Sequence, residues 1–329
     1  MKNSTKVITL VVIIILIIGG MLAYYKVGQA PIDGSNTTSL NSIKGCYIAK
    51  LNKDIYSLNI QSENNGNVAG TLSYNNFEKD SSSGSINGTF TNDTLVGNYS
   101  FDSEGSHSDR QVIFKKVGDN FVEGFGPVKV ISGKEVFDPI TSVTYDPKST
   151  FVKSENCAVA FKDSNNIFSF DYNPSFKALE LKNAPSTDWR VNTTQPGVLL
   201  SKVTVPKSFM PGTNFSEATF TVGRSSDANA LSTCSTVATN GEVKGGEKTI
   251  DGKDFTTFTL GDAGAGNFYD TTSYRGIVDG DCYAIEYTIH STNLGNYSPD
   301  QGIKEFDKAK IQNTLEAIIS SFQFQIQSS

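Results

Sequence analysis

The chain has 329 residues and a net charge of −6, and two of its lysines, Lys2 and Lys6, precede an apolar amino-terminal run, so the rest is more acidic still. That balance argues against nucleic acid and against anionic lipid headgroups as partners. Apolar residues make up 37% and aromatic residues 11%, so Tyr and Phe carry the core, which suits sheets better than helices.

Residues 7–25 read VITLVVIIILIIGGMLAYY and carry no charge. About 19 residues at ~1.5 Å each span roughly 28 Å, close to the hydrocarbon thickness of a bilayer. With Lys2 and Lys6 before the run and Lys26 after it, the positive-inside tendency puts the amino terminus in the cytoplasm and the bulk outside the cell membrane. The run is longer than the apolar core of a cleaved signal peptide. The best exit site, Gly28-Gln29-Ala30, is followed by Pro31, which obstructs cleavage. The reading is an uncleaved signal anchor, with a cleaved signal peptide as the alternative. Residues 26–44 are rich in Gly, Ser, Asn and Thr and form a flexible stalk.

From residue 45 to about 130, short alternating strands follow one another: Tyr47/Ala49/Leu51, then Ile55 to Asn59, Val68/Leu72/Tyr74, Ile86/Phe90, Leu95/Tyr99/Phe101, Val112 to Phe114 and Phe121 to Phe125. Asn-Asn-Gly, Ser-Ser-Gly, Asn-Asp and Gly-Asp-Asn turns separate them, as in an antiparallel meander. A glycine recurs within several strands, which suits a tightly coiled sheet, and closing it into a small barrel would remove its edges. Residues 131–156 read as a connecting arm.

A second part begins near Ala158. Strands are expected over residues 167–172, 198–205 and 218–222. Hairpins are expected around Asp251-Gly252 and Asp279-Gly280, and a short helix over 227–235. Residues 303–321 form an amphipathic helix with Ile311, Leu315, Ile318, Ile319 and Phe322 on one stripe, and residues 322–326 alternate as a last strand. The fold class is mainly β with an α+β part: a transmembrane helix, a small antiparallel β-barrel, then an antiparallel sheet covered by helices. The boundaries are 1–25 for tip and anchor, 26–44 for the stalk, 45–157 for the barrel domain and 158–329 for the α+β domain.

Four cysteines, Cys46, Cys157, Cys234 and Cys282, suggest two disulfides outside the cell membrane. Pairing Cys46 with Cys157 and Cys234 with Cys282 keeps each bridge within one domain; four buried thiols are the alternative. There is no C-x-x-C and only His107 and His290 are present, so no zinc cluster is expected and no cofactor is implied.

The segments IFSFDYNPSF (167–176), GNFYDTTSYRG (266–276) and CYAIEYTIH (282–290), with the closing helix and SFQF (321–324), make the second part resemble the PsbP-like fold, an antiparallel sheet covered by helices. The first part resembles small lipocalin-like or META-like barrels of bacterial envelope proteins. As a whole the chain looks like membrane-anchored envelope proteins of bacteria, and the resemblance implies a binding or assembly role. It brings no catalytic residue with it.

No catalytic motif stands out. The glycine-rich stretch from Gly261 to Asn267 lies between strands and lacks the lysine of a phosphate cradle, so it reads as a flexible connection. It is nonetheless where a ligand would best approach backbone, with Asp262, Asn267, Tyr269, Tyr274, Arg275 and Glu286 as the candidate ligand-binding set. His290 reads as a strand-end hydrogen-bonding residue rather than a general base, and His107 as a solvated turn residue. Trp189, the single tryptophan, reads as core. Glu104, Arg110 and Glu123 read as a surface or edge ion pair, with a polar cluster at one barrel end as the alternative.

The function expected is that of a non-catalytic module, held to the membrane by its amino-terminal helix, that binds a ligand or another envelope protein. An extracytoplasmic hydrolase using carboxylates is the alternative, favoured by a pocket with two acids in apolar surroundings. A structural spacer is the third reading, favoured by the absence of any concavity.

Overall fold

The computed structural model describes residues 42–325, apart from residues 78, 104–105, 182–184 and 240. The expected anchor at 7–25, most of the stalk and the end of the last strand at 326 lie outside the described residues. Among the described residues no helix is long and apolar enough to cross a membrane. The described residues from 44 onward make one compact unit.

The first half is a closed eight-stranded antiparallel barrel. Its strands are β1 (Gly45–Leu51), β2 (Asp54–Asn64), β3 (Asn67–Asn75), β4 (Ser82–Thr91), β5 (Thr94–Ser103), β6 (Ser106–Val117), β7 (Asn120–Phe125) and β10 (Thr144–Ser154). The first seven pair in chain order, and β10 closes the ring between β7 and β1. The hairpin β8 (Val128–Ile131) and β9 (Lys134–Phe137) hangs beside β6 at one end. The turns Asn65-Gly66 and Asn92-Asp93 hold both residues at positive φ, the geometry that matches strand twist in two-residue hairpins. Gly70 and Gly84 lie where a Cβ would run into the carbonyls of Asn59 and Ser100 on neighbouring strands. Tight coiling is therefore why those strands carry glycine. The sequence Ser82-Ser83-Gly84, expected as a turn, opens β4 instead.

The expected connecting arm is corrected by β10. Only Phe151 of that strand is buried, so no alternation marks it. Pro147 sits in an irregularity between Tyr145 and Thr150, where the ladder to β7 slips and no amide is needed.

The second half holds a seven-stranded antiparallel sheet in the order β13-β14-β15-β19-β18-β17-β16. These are β13 (Lys177–Glu180), β14 (Val198–Val205), β15 (Phe215–Ser225), β16 (Val243–Ile250), β17 (Lys253–Gly264), β18 (Asn267–Val278) and β19 (Asp281–Thr292). A small sheet of β11 (Val159–Lys162), β12 (Phe168–Tyr172) and β20 (Gln323–Phe324) lies in the same core. Along β19, Tyr283, Ile285, Tyr287 and Ile289 join the main core, whereas Cys282 and Ala284 on the other face pack with Trp189 and Ala230. The short helix α1 (Ala228–Ser232) covers that second face, capped by Asp227. The helix α2 (Lys308–Ser320) covers the main face with Ile311, Leu315, Ile318 and Ile319 buried. It starts five residues later than expected because the Asp307 side chain accepts the Lys310 amide and fixes the first turn there.

The glycine-rich stretch is also corrected. β17 runs through Gly264, and the turn is only Ala265-Gly266, both at positive φ, so Gly261 to Gly264 are ladder residues rather than a flexible loop.

The two halves share a core. Cys46 and Ile48 of β1 belong to the same apolar cluster as Phe170 and Val203, and the Asn75 amide donates to the Phe176 carbonyl at 2.5 Å. Cys234 and Cys282 form a disulfide, with Cα atoms 5.8 Å apart. Cys46 and Cys157 are unbonded thiols, yet they hydrogen-bond to one another, which holds the Cys157 thiol below its ordinary pKa and, with burial, pushes Cys46 up.

Candidate functional site at the barrel mouth

Alternation decides which side chains face the barrel interior. Phe121 packs edge-on against Tyr47 and Phe114 inside the barrel, so Glu123, two residues on, points the same way. Phe114 and Val112 face inward on β6, which puts Arg110 inward too. Tyr74 ends the inward row of Val68 and Leu72, and Tyr99 with Phe101 ends that of Leu95. These row ends meet at one open end of the barrel, around a recess of about 620 Å³. Tyr56, Phe101, Phe125 and Phe137 line it with Tyr74, Arg110 and Glu123.

The polar geometry is asymmetric. Glu123 is 5% exposed, and its carboxyl accepts a hydrogen bond from the Tyr74 hydroxyl. Burial pushes the Glu123 carboxyl up to about 7, against the opposing pull of the Tyr74 hydroxyl and the Arg110 charge. Burial likewise raises Tyr74 well above the ordinary phenol value. The Arg110 guanidinium lies over the rings of Tyr74, Tyr99 and Phe101, at 4.7, 5.4 and 5.6 Å from their centres. Its Nε is buried with no hydrogen-bond partner, and among the described residues it makes no ion pair. Asp80 and Glu135 line the rim. The recess thus offers a buried carboxyl held by a tyrosine hydroxyl, a guanidinium with one unpartnered N–H and flat apolar faces. Among the described residues no group of His, Cys, Asp and Glu is placed to hold a metal ion.

Of the three residues read as a surface or edge ion pair, the structure brings Arg110 and Glu123 together in the interior rather than at the surface, and Glu104 lies outside the described residues. The six residues expected around the 261–267 stretch fall in three places. Arg275 and Glu286 are buried on the face of the sheet toward α1, joined through Ser273, which accepts from Arg275 Nε at 2.9 Å and donates to Glu286 at 2.6 Å. Arg275 also pairs with Glu242, and Glu286 accepts the Val191 amide at 2.8 Å. Burial raises the Glu286 pKa, partly offset by those hydrogen bonds, and burial with the Arg275 charge lowers that of Arg190 beside it. Tyr274 is on the opposite face, bonded to Glu316 of α2. Asn267 and Tyr269 meet at the far hairpin end. There His290 is 2.9 Å from the Asn267 side-chain oxygen and stacks on Tyr269 with ring centres 4.5 Å apart. Asp262 is exposed and turns onto the Ala263 amide. His107 is exposed on β6, 3.0 Å from Ser100 Oγ. Trp189 is fully buried, with Nε1 donating to the Gln195 carbonyl.

The ring residues of the mouth, Tyr74 and Phe101, carry no mark of a site in the sequence, where they read as ordinary inward-facing core. The available signal was charge in an inward register: Arg110 and Glu123 each stand two residues from a buried phenylalanine or valine.

No protein-family model matches this sequence, and no curated protein matches it. Among solved structures, the chain is similar to the cyanobacterial PsbP (CyanoP) from Synechocystis sp. PCC 6803, with 10% sequence identity over 52% of this chain and 94% of that one, and a TM-score of 0.27. A likeness of that degree bears on neither the site nor the function.

Proposed function

We propose that this chain is a membrane-anchored extracytoplasmic protein that captures a small molecule at the open end of its barrel. The sheet-and-helix half, read as PsbP-like, supports the barrel and offers surface to an envelope partner. The observation that supports this best is a buried carboxyl and a guanidinium whose Nε lacks a hydrogen-bond partner, in one aromatic-lined recess of about 620 Å³. Small-molecule sites typically have volumes of about 300–1,000 Å³, mostly apolar walls and a few convergent polar groups. A buried donor without a partner costs about 1–3 kcal/mol. A ligand that completes it recovers part of that cost on binding. The uncharged run at 7–25 and the lysines around it support the placement outside the cell membrane.

The hydrolase reading is favoured by one observation. A carboxyl near pKa 7 is suited to general acid work, and Asp80 and Glu135 line the same recess as Glu123. The spacer reading loses ground, since it gives no reason for such a recess.

A thermal-shift panel on the full chain in lipid nanodiscs separates the three, using neutral mono- and β-linked disaccharides, carboxylates, amines and fatty acids as probes. Capture predicts a raised melting temperature with one class, lost in R110Q. Hydrolysis predicts product release that E123Q abolishes. No shift with any class and no turnover would leave the spacer.

A further inference from the structure

The chemistry of the mouth narrows the ligand, on the premise that the mouth is the binding site. We propose that it takes a neutral saccharide, stacking a pyranose ring on the aromatic wall and hydrogen-bonding its hydroxyls to Arg110 and Glu123.

Each other class meets a specific obstacle. A wholly apolar ligand would cover the Arg110 guanidinium while leaving its Nε unpartnered, at the cost of burying a polar group unsatisfied. An anion has one cation to bind, but the carboxylates of Asp80 and Glu135 line the same recess and repel it. A cation would want the ring faces of Tyr74, Tyr99 and Phe101, which Arg110 already occupies. A neutral polyol meets none of these obstacles. Each hydroxyl both donates and accepts, so adjacent hydroxyls can donate to the carboxyl and accept from the guanidinium. The C–H face of a pyranose packs on a ring that Arg110 does not cover, such as Tyr56, whose apolar body and polar tip suit an amphipathic ligand. The Tyr74 hydroxyl fixes the Glu123 carboxyl in place before the sugar arrives.

The test uses the full chain in lipid nanodiscs, since glycoside detergents would compete. Isothermal titration is run with glucose, galactose, N-acetylglucosamine and its β-1,4-linked dimer and tetramer, with glucuronate, glucosamine and laurate as controls. Hydrogen–deuterium exchange maps the bound region on the unaltered chain. The proposal expects a neutral sugar to bind at least ten-fold tighter than its charged counterparts, with protection in peptides containing Tyr74, Arg110 and Glu123. It expects R110Q, and the isosteric E123Q should the first fold poorly, to weaken binding at least ten-fold. A tetramer binding tighter than the monomer assigns a polymer chain as the source, and equal affinities assign a free sugar. Laurate or glucuronate protecting the mouth while neutral sugars do not would overturn the saccharide assignment and leave the mouth as the site. Protection elsewhere, or none with any probe, would overturn both.

Discussion

The hydroxyl of Tyr74 on β3 donates a hydrogen bond to the carboxyl of Glu123 on β7, joining residues 49 apart in the chain at the open end of the barrel. The contact places a titratable acid in the wall of a recess and fixes its orientation. It also links the fold's stability to the protonation of one group.

Glu123 gives that linkage a sign. Its folded pKa is raised from 4.5 to about 7, chiefly by burial, so the folded state holds the proton more tightly than the unfolded chain. The stability contributed by the neutral carboxyl is complete below about pH 4.5, falls as pH rises toward 7, and is gone above it. Each pH unit of that window is worth about 1.4 kcal/mol, so at most about 3.5 kcal/mol is at stake. In E123Q this component is absent. Denaturant melts from pH 4.5 to 8 should show E123Q gaining stability relative to the parent as pH rises, and parallel curves would count against it.

Y74F removes the hydroxyl that holds the Glu123 carboxyl down. Its expected cost is about 1–2 kcal/mol, the range for a buried hydrogen bond. The Glu123 titration midpoint, read from its side-chain carbon shift, should also move upward, because only burial and the Arg110 charge then remain. An unchanged or lower midpoint would mean that the hydroxyl does not govern the acid.

Much of this site was legible as register and little of it as chemistry. The inward rows Val68/Leu72/Tyr74 and Leu95/Tyr99/Phe101 follow from period-two alternation, and so do Arg110 and Glu123. Their meeting at one barrel end depends on closure by β10, and β10 has a single buried residue, Phe151, and an internal proline. Nothing local marks such a strand, because its pairing partners are supplied by β1 and β7. The same limit explains Arg275 and Glu286. Alternation put them on one face of the β18–β19 hairpin, but what covers that face, Glu242 and the Trp189 loop, comes from distant sequence.

The Arg275–Glu242 pair lies beneath that cover, with side chains 1% and 3% exposed. R275M strands a buried carboxylate and should cost about 3–5 kcal/mol, whereas R275M with E242L should recover most of the loss. Urea melts of the single and double variants check this. Equal losses would indicate that packing rather than charge is at issue.

The cysteines give a separate prediction. The Cys234–Cys282 bridge, with a sequence separation of 48 residues, should contribute about 4 kcal/mol in the chain-entropy account, so C234A/C282A should melt far below the parent. Cys46 and Cys157 are already in contact across β1 and the segment leading into the second half. Material exported to an oxidising compartment should carry a second bridge there. Peptide mapping without reduction reads both, and two alkylatable thiols at 46 and 157 would argue against that second bridge.

The capture of a small molecule at the barrel mouth is tested most directly by photo-crosslinking in cells that make the full chain. A photoreactive residue replaces Ser149 on the rim of the recess, or Lys244 on distant β16 as a control. Capture at the mouth predicts a discrete low-mass adduct at position 149, absent at 244 and lost when R110Q is added. Identical adduct patterns at both positions, or no adduct at 149 under conditions that label 244, would contradict it.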